Sequence, residues 1–206
     1  SLMGIYFLIL AIKNEKIYYW ILLPIFFGCA FLSKQVPAIY IIISTILILI
    51  FYSLIEQKYK WIKYVSLSTI LFIVIILVFG KFQGINLSFF LEQYIFYPQT
   101  IGEKRLGSFE ITYSGVLGSF KFIYIALAPI VYINLREFFS KRNYFQKKNF
   151  IYFIILILLT LSLIFHQLLT RNQTFIFFLI PILTAFSHIS INTKKQTISA
   201  ILILFC

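Results

Sequence analysis

The sequence predicts an all-α fold, a polytopic transmembrane helical bundle with one long extracytoplasmic loop. Three observations carry this expectation. Apolar runs near the length needed to cross a bilayer recur along the whole chain. Hydrophobic residues make up 61% and charged residues 12%, a balance that cannot give a water-soluble core its polar shell. The bases gather in short stretches between the runs, as they do in membrane topologies. The runs are continuously apolar rather than alternating at period two, which excludes a transmembrane barrel.

The elements follow in order. Part of a helix ends near Ile12, and spans are expected at 17–32, 37–55, 61–79, 119–135, 150–165 and 174–189, with another starting at Thr197. Residues 1–206 read as a single transmembrane domain, an internal piece of a longer protein that begins and stops inside apolar runs. Pro37 fits the first turn of its helix, where no N–H is missed. Pro24, Pro129 and Pro181 fall inside spans, where neighbouring helices can satisfy the freed carbonyls. The 80–118 stretch holds six of the 8 glycines and reads as the long loop. Its middle, Leu87 to Phe96, has the composition of an interfacial helix.

Charge orients the spans. One set of alternate connections carries Lys13 and Lys16; Lys58, Lys60 and Lys63; Arg136, Lys141, Arg142, Lys147 and Lys148; Lys194 and Lys195. The other carries fewer: Lys34; Lys81, Lys104, Arg105 and Lys121; Arg171. The richer set belongs in the cytoplasm. Lys34, the long loop and the turn 166–173 then share the outer face. The net charge of +12 is therefore a topological signal, and nucleic acid is not expected as a partner. Cys29 and Cys206 make neither a disulfide framework nor a metal spacing.

Candidate chemistry lies on the outer face. Ser33-Lys34-Gln35, closed by Pro37, leaves room for little more than a tight turn between two apolar runs. An ammonium fixed there either snorkels or binds an anion such as a lipid-linked phosphate, with Gln35 adding an amide donor. The turn from His166 to Gln173 gathers polar groups. Arg171 suits a phosphate or a sugar hydroxyl, and Gln167, Asn172 and Gln173 are types that bind neutral sugars. A histidine placed like His166 is more often a packed, hydrogen-bonded one at a helix end, and His188 lies too far along the next span to share a metal. In the long loop, Tyr97 and Arg105 are candidate substrate contacts, and Glu92 or Glu103 a candidate base, against the plainer reading of a charged surface. The chain has no aspartate, no nucleophile triad, no Walker loop and no dinucleotide fingerprint. No metal, cofactor or catalytic residue is assigned, and a catalytic carboxylate is expected upstream of Ser1.

The segment Phe26-Phe27-Gly28-Cys29-Ala30-Phe31-Leu32-Ser33-Lys34-Gln35-Val36-Pro37 resembles the outer end of a central helix pair in the GT-C glycosyltransferases. That family includes the protein mannosyltransferases and the lipid A aminoarabinose transferases, whose pattern there ends in Leu-Thr-Lys-Gly-Pro. This chain inserts one residue before the proline. Arg171 to Pro181 resembles the family's Arg-Tyr-Leu-Leu-Pro helix entry, with Asn172 and Gln173 directly after the arginine and a longer run before the proline. The resemblance implies a membrane enzyme of the bacterial inner membrane that transfers sugar from a polyprenyl-phosphate carrier to an extracytoplasmic acceptor. Lys34 and Arg171 would hold the carrier phosphate; Gln35, Tyr97, Arg105, His166 and Gln173 would contact substrate. Membrane lipid and the lipid-linked sugar are the expected partners. A transporter or lipid flippase, a non-catalytic membrane subunit and a sugar-polymer ligase are the competing readings.

Overall fold

The computed structural model describes residues 1–107, 112–139, 147–170 and 174–190. Every regular element among them is helical. The chain divides into two compact units, Ser1–Ser108 and Phe109–Cys206.

The first unit opens with α1 (Leu2–Asn14), α2 (Ile17–Ser33), α3 (Gln35–Glu56) and α4 (Lys60–Phe82). Their connections are one to three residues long, so consecutive helices run antiparallel. Helix α2 is the hub, packing against α1, α3 and α4. A glycine allows the closest approach: a Cβ on Gly28 would lie 2.2 Å from the Phe72 ring of α4. Small residues serve this purpose where helices pack without a hydrophobic drive between them. Pro24 removes an N–H from α2, and nearby the Ser68 hydroxyl of α4 donates to the Ile21 carbonyl at 2.6 Å. The carbonyl that Pro24 leaves without its helical donor is that of Trp20, four residues back, so the Ser68 bond ties α4 to α2 beside the proline and does not replace the lost one.

One end of these helices is fastened twice. Trp20, Tyr52 and Trp61, from α2, α3 and α4, are buried, and Trp20 stacks on both of the others at 5.5 and 5.3 Å. Such pairs add roughly 0.5–1.5 kcal/mol beyond area burial. Helices α1 and α3 both end on left-handed residues, Glu15 at φ 55° and Gln57 at φ 56°. These turns bring Glu15 and Lys58 into a 2.7 Å ion pair, with Glu56 at 3.6 Å. The clustered bases of the α1–α2 and α3–α4 connections therefore share one end of the unit.

At the opposite end the chain does not loop. Helix α4 stops where Gly84 takes φ +70°, and the Asn86 side chain accepts from the Ser88 N–H at 2.9 Å to cap a new helix. From there α5 (Leu87–Leu91), a π-turn (Glu92–Phe96) and α6 (Tyr97–Gly107) run on as one rod. The expected interfacial helix at 87–96 is thus the first half of a longer helical stretch. The glycines and Pro98 read as loop in the sequence, yet the π-turn carries the helix past them.

The second unit contains a π-turn (Ser114–Gly118), α7 (Lys121–Phe139), α8 (Lys147–Thr170), a 3₁₀ turn (Thr174–Phe178) and α9 (Leu179–Ser190). Phe120, Ile123, Ala126 and Ile130 meet Phe153 and Ile164 of α8, and Ile176, Leu179 and Leu183. The expected span 174–189 is therefore split into a 3₁₀ turn and a shorter α-helix. The segment from Thr197 lies outside the described residues.

Among the described residues three helices are long and apolar enough to cross a membrane: α3, α4 and the Phe150–Thr170 part of α8. This makes the chain a membrane protein with transmembrane helices. Of the most apolar stretches, 44% of α3 but only 6% of α4 is buried within the protein.

Candidate functional site

Lys34 is the single residue between α2 and α3. It closes the first helix, its N–H donating to the Ala30 carbonyl at 2.9 Å, and it opens the second in extended conformation. Val36 is also non-helical, so regular helix begins at Pro37, whose fixed φ suits a first turn. The side chain is exposed, and no described carboxylate pairs with it. A turn this short leaves the ammonium at the helix end with its three donors available.

Gln35 is already employed. Its Nε2 donates to the Tyr94 carbonyl at 3.1 Å, across 59 residues. The reason lies in the rod. Pro98 has no N–H to give the carbonyl four residues before it, and that carbonyl belongs to Tyr94. Gln35 supplies a donor instead, tying the rod to the Lys34 turn. One amide hydrogen and the oxygen of Gln35 stay available to a ligand.

Arg105, near the end of α6, stands close enough for its charge to act on the Tyr40 hydroxyl. Tyr40 is three residues past Pro37, about 5 Å along the axis of α3. Neither Tyr40 nor Tyr94 stood out in the sequence. A tyrosine four residues before a proline was the one available sign for Tyr94; Tyr40 looked like any apolar position of a span.

Tyr97 starts α6 and is exposed, its carbonyl accepting from the Thr100 hydroxyl at 2.8 Å. With Phe89, Glu92 and Gln93 it lines an open groove of about 470 Å³. Glu103 accepts from Gln99 at 3.3 Å, the local pairing of a surface helix. His166 and Gln167 belong to the second unit, at the end of α8. Gln167 is 4% exposed, and its Nε2 lies 3.4 Å from His166 Nδ1. Arg171 and Gln173, with Asn172, lie outside the described residues. Among the described residues no group of three His, Cys, Asp or Glu side chains converges as metal ligands would.

Comparison with protein families, with curated proteins and with solved structures gives no match. What the site can do must come from its own chemistry. At one end of the first unit stand the Lys34 ammonium and the Gln35 amide, the latter bonded to the Tyr94 carbonyl of the rod.

Proposed function

We propose that this chain is part of a GT-C-like glycosyltransferase of the bacterial inner membrane, moving a sugar from a polyprenyl-phosphate carrier to an extracytoplasmic acceptor. The observation that carries the reading is Lys34: an exposed ammonium, paired with no described carboxylate, held in a one-residue turn at one end of the first unit. In this reading the polytopic bundle turns the Lys34 end outward and the base-rich end, with Lys58, toward the cytoplasm. The segment 80–118 is then its long extracytoplasmic connection.

The chemistry asks for what the site offers. The acceptor hydroxyl or amine attacks the anomeric carbon and gives its proton to a carboxylate base. The bond from that carbon to the phosphate oxygen breaks, and the leaving polyprenyl phosphate gains negative charge. Lys34 neutralises that charge where water is scarce, so the stabilisation is larger than in bulk solvent. Arg171 is proposed as its companion, and Gln35, Tyr97, Arg105, His166 and Gln173 as substrate contacts. The competing reading, a transporter or flippase, would use the same cations to guide a lipid phosphate without cleaving it.

Lys34→Ala in the full-length protein tests the choice. Sugar transfer falls about 100-fold or more, the size expected for losing a charge aimed at a leaving group. Membrane insertion stays intact. Unchanged transfer in membranes of this variant removes Lys34 from the site. Lipid translocation without any transfer by the unmodified protein favours the flippase.

A further inference from the structure

The groove on the rod has a composition that the cation at Lys34 does not explain. It is an open groove of about 470 Å³ lined by the exposed side chains of Phe89, Glu92, Gln93 and Tyr97, so it would cover one face of a ligand and leave the other to solvent. An uninterrupted α-helix sets residues eight apart about 80° out of line. The π-turn at 92–96 takes up that excess, bringing the Phe89 and Tyr97 rings onto one face around Glu92. Such π-turns recur at functional sites. Glu92 is exposed and makes no ion pair with a described residue.

We propose that this groove is a pyranose-binding site, which holds a sugar ring between Phe89 and Tyr97 with its hydroxyls on Glu92 and Gln93. The inference rests on the transferase reading and names the part of the substrate that the rod would take. A sugar ring has an apolar C–H face that an aromatic ring covers and a rim of hydroxyls. The carboxylate accepts from two of those hydroxyls, and the amide both donates and accepts. Other ligands fit less well. An acyl chain would bury the carboxylate unpaired, at a cost of several kcal/mol in an apolar setting. A phosphate would meet the like charge of Glu92. A quaternary ammonium would suit the rings and the carboxylate but leave the Gln93 amide idle. The Gln35–Tyr94 bond anchors the middle of the rod beside Lys34, so a sugar in the groove and a phosphate at Lys34 belong to one end of the unit.

The test uses the full-length protein in lipid nanodiscs and saturation-transfer NMR. The probes are methyl α-mannopyranoside, methyl β-glucopyranoside and tetramethylammonium. The expected result is saturation of the C–H protons of at least one glycoside. It falls five-fold or more in Tyr97→Ala and in Glu92→Gln, the second of which keeps shape and removes charge. Lys34→Ala leaves the glycoside signal in place, so failure of the groove and failure of the phosphate site read out separately. Saturation of tetramethylammonium alone overturns the proposal, as does a glycoside signal that survives both groove substitutions or the absence of any glycoside signal.

Discussion

Pro98 and Gln35 form a pair in which one residue makes a deficit and the other fills it. The proline withholds an N–H from the Tyr94 carbonyl, and the amide of Gln35 reaches across to bond it at 3.1 Å. One such bond contributes about 1 kcal/mol. Gln35→Leu is therefore expected to loosen the rod by that amount, raising amide hydrogen exchange in residues 87–107 about five-fold with the exchange of α2 unchanged. Equal exchange in both proteins would mean that the bond does not hold the rod. Lys34 and Gln35 thus differ: the first pairs with no described carboxylate, and the second is partly spent on structure. Read from the chain alone, both were substrate contacts, because no local feature of residue 35 announces a partner near residue 94.

The two short connections α1–α2 and α3–α4 act as one element through Glu15 and Lys58. The Glu15 hydrogen bond raises the Lys58 pKa above the ordinary lysine value, and the Glu15 and Glu56 charges add to it, while partial burial opposes them. A lysine raised on folding stabilises fully below its unfolded pKa of about 10.4, and that contribution is lost as pH climbs through the higher folded value. Melting temperature in detergent should fall between pH 10 and 12. Lys58→Met should flatten that part of the curve and lower stability at neutral pH by at most about 1 kcal/mol, the worth of a partly exposed pair. A drop of the same size in the variant would assign the pH dependence to other groups. Three of the spans, those expected at 37–55, 61–79 and 150–165, were legible, since apolar run length and Pro37 are local signals. The rod was not, since Pro98 and Gly102 break a helix in most sequences and only the π-turn and the Gln35 bond carry it past them.

For the molecule as a whole, the arrangement within the first unit makes a topology claim that labelling can read. In a background of Cys29→Ala and Cys206→Ala, Ser33→Cys should react with an impermeant maleimide added outside intact cells, and Gln57→Cys only after permeabilisation. The reverse pattern would turn the Lys34 end toward the cytoplasm and remove the proposed encounter with an extracytoplasmic lipid phosphate. Fold class and the membrane setting followed from composition and run lengths alone. So did the place of Lys34 at a helix end, because two apolar runs with nothing but a polar break between them can only turn there. Folding in three dimensions decided the tertiary partners: Arg105 acting on Tyr40, Gln35 bonded to Tyr94, and Phe89 sharing a groove with Tyr97. Those relations depend on which helix ends meet and on one extra residue in a turn, and neither is written in the order of residues along a single helix.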